Sequence, residues 1–455
     1  MKTLLHGGTA VSGTGMQKLD ILIENEKIVQ MQPHISAADA QTVDCTGKLL
    51  FPGFIDGHTH FDLEVCGTIT ADTFASGSRA ALRGGTTMVV DFAAPDKGDT
   101  LAYGLSRWRE KAAGAACDYG FHMTVDDWNE GISQELGEML EQGISSFKMY
   151  MTYPAMMLPE GDMFQALLRL KELGGIAGVH CENSGLIDAL TARARKAGRM
   201  GPASHPQVRP APLEAEAVGH LLRMAQVAEV PVIIVHLSAR ESLEEVRAAR
   251  RRGQTVYVET CPHYLLLEDS VYSNPDFLEA AKYVCAPPIR KKEDQEALWE
   301  ALANGEIQTV ATDHCSFTLA QKRAGRYDFT KIPGGLPGVE HRGQLLYTCG
   351  VAAGRISEAQ MCRVLCENPA KLYGCWPRKG TLAPGSDGDV VVWDPAAEGM
   401  ITVRDQAQQA DYTPYEGMRT KGGADRVYLR GTLAVDHGQV LETAGVFVPR
   451  GKCAL

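Results

Sequence analysis

Short apolar runs, rich in β-branched residues and ending abruptly in a polar side chain, recur along the middle of this chain. Four of them are Ile144-Ser-Ser-Phe-Lys148-Met-Tyr, Ile176-Ala-Gly-Val-His180-Cys-Glu, Val232-Ile-Ile-Val-His236-Leu-Ser and Ile307-Gln-Thr-Val-Ala-Thr-Asp313-His. Three more fit the same template: Thr86-Thr-Met-Val-Val-Asp-Phe92, Asp118-Tyr-Gly-Phe-His-Met-Thr124 and Thr255-Val-Tyr-Val-Glu-Thr260. The eighth is Phe54-Ile-Asp-Gly-His58-Thr-His60. Each run is too short for a solitary helix and reads as a strand covered on both faces. Helical patterns such as Leu213 to Ala228 and Ala239 to Arg252 lie between them. Eight strands alternating with helices predict an α/β fold, a (β/α)₈ barrel of the TIM type, with its active site where the strands end.

Both flanks change from this pattern to alternation. Leu19-Asp-Ile-Leu-Ile23 and Lys27-Ile-Val-Gln-Met31 near one end, and Gly388-Asp-Val-Val-Val-Trp393 and Asp425-Arg-Val-Tyr-Leu429 near the other, read as half-buried strands. The two ends are expected to pair into one small β-sandwich beside the barrel. The resulting division is 1–52 and 377–442 for the sandwich, 53–376 for the barrel, and 443–455 for a mobile C-terminal tail.

Candidate chemistry collects at the strand ends. His58 and His60 are two residues apart, so in a strand they share a face and can reach one metal ion. Lys148, His180, His236 and Asp313 end four further runs, and six chemically compatible residues at one end of successive strands exceed what isolated core histidines would give. His122 and His263 also fall near strand ends and read as supporting residues. A net charge of −11 excludes nucleic acid as the main partner, since phosphate binding needs a basic surface. No apolar run approaches the roughly 20 residues that span a bilayer, and no signal peptide is visible, so a cytoplasmic location is expected. The 12 cysteines are scattered without a disulfide framework, and Cys362 and Cys366 read as a reduced pair on a helix.

These motifs identify the chain as resembling the amidohydrolase superfamily, within it the cyclic-amide hydrolases. The likeness runs from Pro52-Gly-Phe-Ile-Asp-Gly-His-Thr-His60 to Gly380-Thr-Leu-Ala-Pro-Gly-Ser-Asp-Gly-Asp389. Ser146-Phe-Lys148-Met-Tyr-Met-Thr-Tyr153, Val235-His-Leu-Ser238 and Ala311-Thr-Asp313-His-Cys315 look most like the hydantoinase and dihydropyrimidinase branch. The resemblance implies two divalent metal ions, with Zn²⁺ the leading expectation and Mn²⁺, Co²⁺ or Fe²⁺ compatible with the same donors. It implies His58 and His60 on the more buried ion, His180 and His236 on the more exposed one, and Lys148 bridging both as its carbamate. A free ammonium could not sit between two cations, so Lys148 is either modified or not a ligand. Asp313 would complete the first ion's sphere and act as base, and Tyr153 would stabilise the oxyanion.

The implied activity is opening of a 5-substituted hydantoin or a dihydropyrimidine to an N-carbamoyl amino acid by a homo-oligomer, dimer or tetramer. Two positions depart from the branch: Ala286 stands where hydantoinases usually carry serine, and Gly335 where they carry asparagine. If main-chain groups make the ring contacts there, both residues preserve them. Gly334-Gly335 and Cys261-Pro-His263-Tyr264 are also similar to allantoinases, which keeps that activity as the alternative. A dihydropyrimidinase-like scaffold that has lost its metal is a further alternative, against which all six ligand positions stand. Val65, Tyr150, Met156 and Met157 offer apolar and aromatic surface and favour a neutral ring with an apolar or aromatic 5-substituent, or dihydrouracil.

Overall fold

A computed structural model describes residues 2–455. Eight parallel strands, Phe54–Thr59, Thr86–Ala93, Asp118–Thr124, Ser146–Tyr150, Ile176–His180, Val232–Ile234, Val256–Thr260 and Thr309–Val310, pair in chain order. The first and eighth meet through a parallel bridge between Thr59 and His314, where His60 N–H donates to His314 O at 2.8 Å. This nearly closes the barrel. Most strand residues are fully buried, as continuous apolar runs require when helices cover the outer face and side chains fill the inner one.

The helices between the strands start at polar caps. Thr73, Thr100 and Asn129 each accept a main-chain N–H in the first turn of Phe74–Arg83, Leu101–Lys111 and Glu130–Glu141. The two helices expected from periodicity occupy Ala211–Ala228 and Arg240–Arg251. Register places the site: Lys148 lies beside Gly178, and Tyr150 beside His180 one pleat further along the neighbouring strands, so the three side chains project from the same end of the barrel.

Beside the barrel, a four-stranded and a seven-stranded sheet are built from strands at both chain ends. Leu49–Pro52 pairs antiparallel with Val390–Met400, with Phe51 opposite Val391. Leu5, Ile21, Ile23, Ile28, Leu50, Val390, Val392 and Tyr428 form a common core there. The fold is therefore a (β/α)₈ barrel with a β-sandwich contributed by both ends. Lys379 ties the two parts together. Its buried ammonium reaches Asp118 at 2.5 Å, Asp389 at 2.6 Å and Asp387 at 2.9 Å, three carboxylates close enough to hold a cation that the lysine itself supplies.

The C-terminal segment from Thr443 corrects the expectation of a mobile tail. It runs across the end of the barrel opposite the ligand-bearing strand ends, with Tyr119 N–H donating to Val446 O at 3.0 Å and Val448 N–H to Tyr119 O at 2.8 Å. Val448 is buried, and the Arg450 guanidinium donates to Ser146 Oγ at 2.7 Å, to Tyr373 O at 3.3 Å and to Phe121 O. The arginine satisfies carbonyls that the barrel floor would otherwise leave unpaired. All 12 cysteines are unpaired, Cys362 and Cys366 among the buried ones. Among the described residues no helix is long and apolar enough to cross a membrane.

Candidate metal centre

The six expected ligands do converge. His60 Nε2 and His58 Nε2 lie 3.1 Å and 3.2 Å from the same Asp313 oxygen, the latter without hydrogen-bond alignment. His180 Nδ1 and His236 Nε2 face each other at 3.0 Å, and the His58 and His236 rings are 5.4 Å apart between centroids. Lys148 is buried between these pairs. Its Nζ sits 5.2 Å from the Phe92 ring and 5.0 Å from the Tyr150 ring and has no hydrogen-bond or ion-pair partner among the described residues.

Such an arrangement is costly for a protein alone and suits cations. Two imidazole nitrogens and a carboxylate oxygen converge from one side, two imidazole nitrogens from the other, and buried His58 Nε2 and His236 Nδ1 make no hydrogen bond among the described residues. The donor set of nitrogen and oxygen fits Zn²⁺ and other first-row divalent ions.

Electrostatics point the same way. Burial pushes His60 down to about 4, and His180 and His236 below the ordinary imidazole range, so these three keep lone pairs free. Burial acts against a charged His58 too, but the Glu259 and Asp313 carboxylates outweigh it and raise the ring to about 9. Burial also opposes ionisation of Asp313, yet the charge of His58 beside it and the hydrogen bond with His60 hold it well below the usual carboxylate range. The Lys148 ammonium, disfavoured by burial and partly supported by Asp313 and Glu259, falls to about 8.

Residues that sequence reasoning passed over fix these rings. Glu259 is fully buried and takes His58 Nδ1 at 2.6 Å, His236 N–H at 3.2 Å and the Tyr373 hydroxyl at 3.2 Å. Glu182 takes His180 Nε2 at 2.8 Å and pairs with Arg209. A carboxylate behind His58 and another behind His180 set the tautomer and orientation of those two rings. The available signal was a glutamate at or just beyond the end of a fully buried strand. His122 instead bonds Ser146 Oγ and Gly57 O at 2.6 Å and 2.9 Å, and His263 is buried; neither lines the cavity.

The ligands open into a cavity of about 830 Å³. Tyr153, Ala286 and Gly335 line it, as do Val65, Tyr150 and Met156, whereas Met157 does not. The Tyr153 ring packs 5.2 Å from His180 and beneath the Arg209 guanidinium at 5.3 Å, and burial raises its hydroxyl, which stays a donor. Gly335 has φ +150°, and a Cβ there would meet Cys315 O at 2.4 Å, so this position offers main chain only. Buried Lys322 donates to Val284 O, Pro333 O and Gly335 O at 2.8–2.9 Å, locking the loops on either side of Ala286 and Gly335 together. Tyr153, His236 and Asp313 all hold positive φ, at 68°, 39° and 49°.

Known proteins resemble this chain over its whole length. A D-hydantoinase of Streptomyces coelicolor is 42% identical over 99% of this chain and 98% of its own length. A D-phenylhydantoinase of Escherichia coli is 41% identical over 98% of this chain and 97% of its own. The crystal structure of a dihydropyrimidinase from Brevibacillus agri superposes with a TM-score of 0.98 at 41% identity, covering 100% of both chains. The model of the Amidohydrolase family matches residues 49–434, and with full-length relatives at this identity the chain belongs to that family, beside its hydantoinases and dihydropyrimidinases.

Proposed function

We propose that the protein hydrolyses a cyclic amide, a 5-substituted hydantoin or a dihydropyrimidine, to an N-carbamoyl amino acid. The observation that carries this reading is the convergence of His58, His60, His180, His236, Lys148 and Asp313 beneath a cavity rimmed by Tyr153, Ala286 and Gly335. In this reading His58, His60 and Asp313 would hold one divalent ion, His180 and His236 the other, and Lys148, as its carbamate, would serve both. The ions, with Zn²⁺ the leading candidate, supply the positive charge that activates water and polarises the amide carbonyl.

The chain's own residues do the remaining work. Asp313 takes the proton of the attacking water and returns it to the ring nitrogen as the C–N bond breaks, so that water adds across the amide with no proton left over. Tyr153 Oη donates to the carbonyl oxygen as charge builds on it. Main-chain groups at Ala286 and Gly335 frame the ring amide, which explains how alanine and glycine serve where the branch usually has serine and asparagine. Glu259 and Glu182 keep the histidines turned inward. Assembly into a dimer or tetramer and residence in the cytoplasm belong to the same reading.

Two measurements test it. Metal analysis of the purified protein should find about two divalent ions per chain, and chelation should abolish turnover of hydantoins and dihydrouracil. A metal-free, folded protein with no turnover after metal is supplied would support the scaffold instead. Tyr153→Phe removes one donor without disturbing the ring packing on His180, and should lower kcat by about 10²-fold while metal content holds. Unchanged kcat would remove Tyr153 from the chemistry.

A further inference from the structure

The wall of the cavity above the third and fourth barrel strands carries a charge that the mechanism does not use. Asp126 lies just beyond the end of strand Asp118–Thr124, is 6% exposed, and lines the same cavity as Lys148, Tyr150 and Met156. Its carboxylate makes no hydrogen bond or ion pair with another described side chain. The carboxylate faces the open cavity with no protein partner beyond its own amide, so a ligand group that enters there takes the place of water on it. Val125 N–H donates to Lys148 O at 2.8 Å, which pins the segment to the neighbouring strand and keeps the acid at this height.

The charged neighbours do not form a pair with it. Asp96 and Asp127 are both near enough to act on Asp126 with like charge, and the cation that acts on it, Lys97, directs its Nζ to Met157 O at 3.4 Å. Burial and the two acids lift the Asp126 carboxyl to about 6, against the pull of its own amide and of Lys97, so it is an anion at neutral and alkaline pH. An unpaired anion facing a substrate cavity is a site for a donor that arrives with the ligand.

The floor of the cavity is committed to the ring amide, so the part of a substrate that reaches Asp126 is an exocyclic group. Val65, Met156 and Tyr150 offer that group apolar walls along its length, with the carboxylate as a polar end point. We infer that Asp126 is a specificity-determining residue, and that the favoured substrates carry a cationic or N–H-donating exocyclic substituent on the ring. This inference rests on the cyclic-amide reading above and narrows it, adding a charged end to a pocket whose sequence reads as apolar.

The test compares two hydantoins on one preparation: a 5-(aminoalkyl)hydantoin and the 5-alkylhydantoin of equal chain length, over a short series of lengths. At about pH 8 the substrate amine, with an ordinary value near 10.4, is protonated and Asp126 is ionised. The wild-type protein should favour the ammonium substrate by about tenfold in kcat/KM, the modest discrimination of a charge pair still open to solvent. Asp126→Asn and Asp126→Ser should each bring that ratio close to one. Because the ratio is taken within a preparation, a smaller folded fraction in either variant cancels. Equal or lower kcat/KM for the ammonium substrate in the wild type, or a preference that survives both substitutions, overturns the inference and leaves the hydrolase reading standing. Failure of the metal-loaded protein to open either hydantoin or dihydrouracil overturns the hydrolase reading and this inference with it.

Discussion

Lys148→Ala will leave a folded barrel that no longer retains its full metal complement and turns over no measurable substrate. The side chain is buried among His58, His236 and Asp313, without a hydrogen bond of its own, so its removal breaks no structural contact that holds the fold. What it removes, on the proposed assignment, is the one group shared by both ions. Losing an outer partner of a ligand costs roughly 10- to 100-fold in affinity or activity, and loss of a direct bridging ligand will exceed that range. Small carboxylates such as acetate or propionate should restore part of both metal content and activity by supplying the missing oxygens. Full activity in Lys148→Ala would dismiss the bridge. The wild-type protein adds a signed pH dependence. Only the neutral amine attacks CO₂, and burial holds this amine at about 8, so reconstitution of metal-stripped protein at fixed dissolved CO₂ should speed up as pH rises through about 8 and slow below it. A rate flat across that range would count against carbamate formation at Lys148.

Asp313→Asn is the second large effect. Asp313 sits at φ 49°, a left-handed conformation that asparagine tolerates nearly as well as aspartate, so the substitution carries little backbone penalty. It keeps the shape of the side chain and removes its basicity. Loss of a general acid-base group costs about 10²- to 10⁴-fold, and kcat per bound metal ion should fall by at least the lower figure. Expressing the rate per bound ion separates this from the metal that Asp313→Asn also loosens. Near-normal turnover per ion would exclude Asp313 as the proton carrier.

The strand ends were legible because burial on both faces writes itself locally: an apolar run can stop only where the chain reaches solvent or a site, and His58, Lys148, His180, His236 and Asp313 mark those stops. Glu259 and Glu182 were harder to read. Glu182 stands only two residues after His180 but its counter-charge, Arg209, comes 27 residues later, and nothing in Val-Tyr-Val-Glu-Thr states that Glu259 will meet His58, 201 residues earlier. The segment after Thr443 failed for the same reason in reverse. Its few apolar residues show no period, yet Val446 and Val448 bond Tyr119 and Arg450 plugs the barrel floor, contacts that only the finished barrel creates. Asp126 was visible as a residue and silent as chemistry, since its lack of a partner is a property of the folded wall.

Three of the residues placed at the reaction, Tyr153, His236 and Asp313, hold left-handed backbone angles that glycine adopts freely and most L-amino acids avoid, aspartate and histidine less than tyrosine. Such a conformation costs an L-residue up to about 1–2 kcal/mol, most for Tyr153 and least for Asp313, and the rest of the fold must cover it. Glycine at any of the three would relieve that strain while deleting a ligand, a base or an oxyanion donor. A library selected for heat resistance alone would therefore drift towards more durable proteins with a dismantled catalyst, and thermostabilisation of this chain has to be run with turnover as a second criterion from the first round.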